Sequence, residues 1–104
     1  MYLKGAPVRI ISKTPLRRCW NEHPDAKGAL QLWWKVAAGA NWTKAADIKA
    51  AYGNASILAN DRVVFNICGR KYRLVTLVRY KWHLVYVRFV GTHDEYDEIN
   101  AEEV

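Results

Sequence analysis

Cysteine is scarce in this chain. Cys19 and Cys68 are the only two, far apart and outside any metal-ligand spacing. That excludes a disulfide framework and a cysteine-held zinc, and reads as two reduced thiols in a cytoplasmic protein. No apolar run approaches the roughly 20 residues that cross a membrane. The start, Met1-Tyr2-Leu3-Lys4-Gly5-Ala6-Pro7, lacks the apolar centre of a secretory signal. No internal repeat, low-complexity tract or interdomain linker breaks the sequence, so residues 1–104 read as one domain with a modest core. One further absence is local: residues 94–104 hold no Lys or Arg.

Charge is therefore split. The first 93 residues hold all 16 Lys and Arg against four acids, Glu22, Asp25, Asp47 and Asp61, a surplus of twelve. The other six acids lie in 94–104 and bring the net charge to +6, leaving an acidic tail over about 97–104. A body this basic suits a polyanion such as nucleic acid, though an acidic protein or a membrane surface would also attract it.

Val8-Arg9-Ile10-Ile11 reads as a first strand. A helix starts near Thr14-Pro15 and is interrupted at Asn21–Pro24. A second runs from about Pro24 to Ala38, with Leu30, Trp33, Trp34 and Ala37 on one face at helical spacing. Aromatics so spaced read as core rather than as base-stacking platforms. Thr43 can cap a third helix, Lys44 to Tyr52. From Ser56 the period becomes two, and 62–67, 72–80 and 83–90 read as antiparallel strands.

A two-residue turn at Gly69-Arg70 pairs Ile67 with Tyr72 and Asn66 with Arg73. A loop at Lys81-Trp82 pairs Tyr80 with His83, and Val75 with Arg88. This register puts Val63, Phe65, Ile67, Leu74, Val78, Val85, Val87 and Phe89 on a core face. It puts Arg62, Asn66, Arg73, Arg79 and Arg88 on the opposite face, with Arg88 diagonal to Arg73. A bulge in either hairpin would move some of these residues across. The arginine-bearing face reads either as a solvated surface or as a polyanion contact.

Thr92-His93-Asp94-Glu95 has the form of a capping box, which accounts for Thr92 and Glu95 without any function. It leaves His93 at the first helical position with Tyr96 one turn on. These residue types suit RNA cleavage without a metal. The 2′-hydroxyl must lose a proton, the leaving 5′-oxygen must gain one, and the phosphorane needs cations beside it. His93 can serve as base, Arg73 and Arg88 as phosphate ligands, Tyr96 as a base-orienting or stacking group, and Asn66 as a positioning group. Arg62, Arg70, Lys71 and Arg79 supply further RNA contacts. The carboxylates, mostly in the tail, form no convincing metal site, so no metal or other cofactor is expected. A non-catalytic RNA- or protein-binding module using the basic face is the alternative.

Two stretches resemble a known family. They are Val64-Phe65-Asn66-Ile67-Cys68-Gly69-Arg70-Lys71-Tyr72-Arg73-Leu74-Val75 and Val85-Tyr86-Val87-Arg88-Phe89-Val90-Gly91-Thr92-His93-Asp94-Glu95-Tyr96-Asp97. With Trp42 and Ala46-Asp47-Ile48-Lys49 upstream, they resemble HigB-type toxins of the RelE-like superfamily, over most of residues 8–99. The resemblance implies an α+β RelE-like toxin fold: an N-terminal strand and helices on a small antiparallel sheet, then a short C-terminal helix. It implies an mRNA interferase that acts without a metal, often on ribosome-bound messages, and a HigA-type helix-turn-helix antitoxin as partner. It implies Asn66, Arg73, Arg88, His93 and Tyr96 as site residues. The family commonly has Asn where this chain has Arg70, so the turn geometry or its phosphate contacts differ here.

Overall fold

The computed structural model describes residues 8–104. The expected lack of a signal core falls on residues 1–7, which lie outside the described residues. Strand β1 (Arg9–Ile11) leads through Ser12, in the left-handed region at φ 72°, into α1 (Thr14–Glu22). Pro15 sits in the first turn of α1, where its missing amide is not needed. A 3-10 turn at Pro24–Ala26 follows, then α2 (Lys27–Gly39) and α3 (Ala45–Ala51). Strands β2 (Ser56–Ile57), β3 (Arg62–Ile67), β4 (Tyr72–Arg79) and β5 (Leu84–Thr92) come next, and α4 (His93–Asp97) follows β5 directly.

The expected α+β arrangement is present, with two changes: Ser56–Ile57 adds a fifth strand that was not expected, and the sheet is mixed. The strand order is β1-β5-β4-β3-β2, and β1 runs parallel to β5 while the remaining pairs are antiparallel. The sheet is mixed because the helical stretch lies between β1 and the hairpins. The chain can then return β5 alongside β1 in the same direction, which no tight hairpin allows.

The helices cover one sheet face. Leu16, Leu30, Trp33, Ala37 and Ile48 pack there against Val63, Phe65, Leu74, Val78, Val85 and Val87. Trp33 meets the Phe65 ring edge-on at 5.4 Å, and Trp42 stacks on it at 6.0 Å. The core reading of the α2 stripe therefore holds for Trp33, while Trp34 stays half-buried with the Lys13 ammonium 4.3 Å from its ring. Thr43 does not cap α3 as expected. Lys44 holds the cap position, and Thr43 donates from its amide and hydroxyl to Asp47 Oδ2 at 2.9 and 3.0 Å. A carboxylate inside the first turn takes both donors more strongly than a neutral hydroxyl could serve the helix amides.

The first hairpin has the expected register, Ile67 opposite Tyr72 and Asn66 opposite Arg73. The second keeps its expected register only from Arg79–Leu84 to Thr76–Val87. Beyond that point an irregularity at Val75/Thr76 places Phe89, not Arg88, opposite Val75, so Arg88 is an extra residue in β5. Phe89 consequently leaves the helix-covered face. It packs with Val64, Val75, Tyr96, Ile99, Ala101 and Val104 in a second, smaller apolar cluster on the opposite face.

That cluster corrects the expected outer face and tail together. Residues 98–104 fold back over the sheet rather than trailing away, because Val64 and Val75 leave apolar area that Ile99, Ala101 and Val104 cover. Polar bonds fasten the segment. Glu102 accepts from the Ala59 amide at 3.1 Å, and Arg62 donates to the main-chain oxygen of Val104 at 2.6 and 3.1 Å.

Candidate active site

The β3–β4 turn is shaped by two residues with positive φ, Cys68 at 53° and Gly69 at 67°, and closed by the Lys71 amide donating to the Cys68 carbonyl at 3.2 Å. Arg73 projects from β4 just behind this turn, between Asn66 on β3 and Gly91 on β5. Its Nη1 donates to the Arg70 carbonyl at 2.7 Å, and its guanidinium carbon lies 5.8 Å from the centre of the Tyr96 ring. That is a cation–π contact, so one face of the ring orients the charge. Asn66 is anchored by its Nδ2 donating to the Asn54 carbonyl at 3.2 Å.

The capping box forms as its sequence suggests. The Glu95 amide donates to Thr92 Oγ1 at 3.2 Å, and the Thr92 amide donates to Glu95 Oε1 at 2.8 Å. Hydrogen bonding from Thr92, its amide first, holds the Glu95 carboxyl below the usual range. The cap makes His93 the first helical residue, and its amide donates to the Lys71 carbonyl at 3.2 Å, tying α4 to the hairpin turn. The imidazole is exposed, with Nδ1 3.2 Å from Asp97 Oδ2 one turn on. Gly91 completes the site. A Cβ there would lie 2.7 Å from Phe89 Cζ and 2.9 Å from Glu95 Oε1.

The structure thus brings Asn66, Arg70, Arg73, His93 and Tyr96 to one end of the sheet. Arg88 is not among them. The bulge places Arg73 opposite Gly91, three residues from Arg88, so the expected diagonal pair of arginines does not form. Arg88 is exposed and lines a cleft of about 250 Å³ with Arg18, Glu22 and His23. Arg62 and Arg79 lie toward the opposite end of the hairpin, roughly 13 Å along β3 from Asn66 in the case of Arg62. Both are occupied, Arg62 by main-chain oxygens of Asn60 and Val104 and Arg79 by Asp61 at 2.7 Å. Val64, Val75 and the residues covering them separate the two ends, so the basic face expected from the register is not continuous.

Residues 26–99 match the family model for HigB toxin, a RelE-like toxic component of a toxin–antitoxin system. The chain belongs to this family. No curated protein matches it. As a HigB-type toxin it is one half of a toxin–antitoxin system, which implies an antitoxin partner. Among the described residues no helix is long and apolar enough to cross a membrane.

Two features of this HigB-type toxin escape a reading of the sequence. Asp25, ahead of α2, accepts from the Lys71 ammonium at 2.5 Å and the Tyr72 hydroxyl at 2.7 Å. Those bonds hold its carboxyl low and raise both Lys71 and Tyr72. Lys71, expected as an RNA contact, is therefore paired. No local signal could have revealed a partner 46 residues away. The second feature is a group of ligand-type atoms on α4, where His93, Asp94 and Asp97 come within 4.8 Å of one another. All three are exposed side chains of one short helix, which carries no metal assignment without a further ligand.

Proposed function

We propose that this HigB-type toxin is an mRNA interferase, a metal-independent endoribonuclease that cuts messages on the translating ribosome in the cytoplasm. The observation that carries this reading is the meeting of the Arg73 guanidinium, the Tyr96 ring and the exposed His93 around Gly91, a position without a side chain. A phosphodiester laid against Arg73 has the guanidinium on its non-bridging oxygens, where a fixed guanidinium favours the phosphorane over the ground state. The free Nε2 of His93 takes the proton of the 2′-hydroxyl as the 2′-oxygen attacks phosphorus. The P–O5′ bond then breaks, and the 5′-oxygen takes a proton from solvent at this open site. The products are a 2′,3′-cyclic phosphate and a 5′-hydroxyl. Tyr96 offers a ring for a nucleobase, Asn66 orients the strand, and Arg70 stands at the turn as an additional phosphate contact. Arg88 supports binding from the neighbouring cleft.

The cognate partner in this reading is a HigA-type helix-turn-helix antitoxin. The test is the chemistry of the cut ends, with and without EDTA. Cyclic phosphate ends that persist in EDTA are the expected result. Loss of cutting in EDTA with rescue by magnesium would turn attention to His93, Asp94 and Asp97 as metal ligands. RNA binding with no cutting, on or off the ribosome, would favour a binding module.

A further inference from the structure

We propose that the cleft between α1 and the free edge of β5 is a second RNA subsite, in which Arg18, Arg88 and His23 hold the phosphodiester next to the scissile one. The identity of the ligand rests on the ribonuclease reading above, and the cleft itself rests on separate residues.

Strand β1 pairs with β5 only from Leu84 to Tyr86. From Arg88 to Gly91 the edge of β5 therefore faces α1 across an open cleft, walled by Arg18, Glu22, His23, Arg88, Phe89 and Gly91 among others. The bulge is what delivers Arg88 here instead of to the Arg73 neighbourhood. Among the described residues neither Arg18 nor Arg88 makes an ion pair or a side-chain hydrogen bond, although Glu22 lines the same cleft. The second carboxylate of the wall, Glu95, is engaged by the Thr92 amide. Two guanidiniums facing one cleft repel each other until an anion enters, and phosphate matches their planar fork of donors. His23 adds a ring nitrogen from the end of α1.

The cleft is also joined to the candidate active site. Gly91 faces Arg73 and at the same time forms part of the cleft wall. The Phe89 ring and the Glu95 carboxylate close over Gly91, so a strand running from Arg73 into the cleft passes along these two side chains. Phe89, half-buried beside Gly91, offers a ring edge to a sugar or base on that path. An acidic segment of the antitoxin would also find two arginines attractive. The continuity with the Arg73 site favours RNA.

The experiment measures binding of the full chain to a single-stranded RNA whose 2′-positions are all methylated, so that cutting is impossible, over a range of salt. Arg18→Ala is expected to weaken binding about tenfold at low salt and to lower the slope of log affinity against log salt by about 0.7, the loss of one phosphate contact. Arg18→Glu should weaken it further. Arg17→Ala, exposed on α1 and outside the cleft wall, should leave both quantities as in the wild type. Arg18 is exposed on its helix, and unchanged circular dichroism and melting would verify that the variants fold. Wild-type affinity and slope in both Arg18 variants would overturn the proposal, as would a wild-type chain that does not bind this RNA. Loss of antitoxin binding in Arg18→Glu with RNA affinity intact would overturn it too and assign the cleft to the antitoxin. If the wild type never cuts RNA yet Arg18→Ala lowers affinity as expected, the ribonuclease reading fails and the subsite stands.

Discussion

Arg73 stands directly opposite Gly91 across the β4–β5 ladder. The guanidinium has the Tyr96 ring on one side, and the pairing with Gly91 exists only because β5 carries one extra residue. Had the second hairpin kept an uninterrupted register, Gly91 would have moved away from Arg73 and Arg88 would have become its diagonal neighbour.

Arg73→Ala and His93→Ala should each slow RNA cutting by about two to three orders of magnitude, the range for losing a transition-state charge partner or a positioned base. Both proteins should keep their fold, since Arg73 is only half-buried and His93 is exposed. Cleavage rates and melting curves on the same preparations check this. Folded variants that cut at the wild-type rate would remove both residues from the mechanism.

Gly91→Ala should disturb the site more than the fold. The new methyl group meets Phe89 at 2.7 Å and Glu95 Oε1 at 2.9 Å, so the Phe89 ring must shift and Glu95 must loosen the bond it accepts from the Thr92 amide. A stability loss of about 1–3 kcal/mol, the range for overpacking, is expected together with a larger drop in cutting. Chemical denaturation and a single-turnover assay separate the two effects. Unchanged activity would show that the strand does not cross Gly91.

Asp25 should make stability fall on the acid side. Hydrogen bonds from Lys71 and Tyr72 hold its carboxyl below the usual carboxylate range. Its contribution is therefore present above the unfolded value of about 4 and is lost as pH falls through the lower folded value. Lys71 and Tyr72 are raised by the same bonds, so their contribution is present below their unfolded values of about 10 and is lost as pH rises past the folded ones. Asp25→Asn should lower the melting temperature at neutral pH and flatten the acid limb below about pH 4. An acid limb identical to the wild type would show that Asp25 is not responsible for it.

Ala101→Asp should loosen the C-terminal segment. The position is nearly closed to solvent against Val64 and Val75, and a carboxylate there has no partner in the cluster. A loss of about 1–3 kcal/mol is expected from placing an unpaired polar group against that surface. Hydrogen exchange should rise in 98–104 and in the amide of Ala59, which Glu102 now holds. Unaltered exchange at Ala59 would mean that the segment is fastened by other contacts.

The parts of the site that were legible in the sequence are those made by neighbours along the chain. Gly69 tolerates the positive φ that the turn requires, so the register of Asn66 and Arg73 follows from a few residues. Thr92 and Glu95 are three apart, so their reciprocal bonds follow from spacing alone. The position of Arg88 was not legible. Its flanks, Val87 and Phe89, are both apolar, so alternation offers no cue for an inserted residue, and only the packing available to Phe89 selects the bulge. The docking of the acidic tail, 97–104, was not legible either, since Ile99, Ala101 and Val104 become an apolar face only when Val64 and Val75 are there to meet them.

By itself the sequence determined the main helices and the strands β1, β3, β4 and β5, the β3–β4 register and the cap that starts α4, because each depends on backbone preferences and hydrogen bonds a few residues apart. The tertiary structure alone decided that β1 lies parallel to β5, that Arg88 leaves the Arg73 site for a cleft beside α1, and that Lys71 pairs with Asp25 while Arg62 is taken by the returning chain. Those outcomes depend on which distant surfaces are left uncovered, and burial of apolar area is non-directional, so no local pattern specifies them.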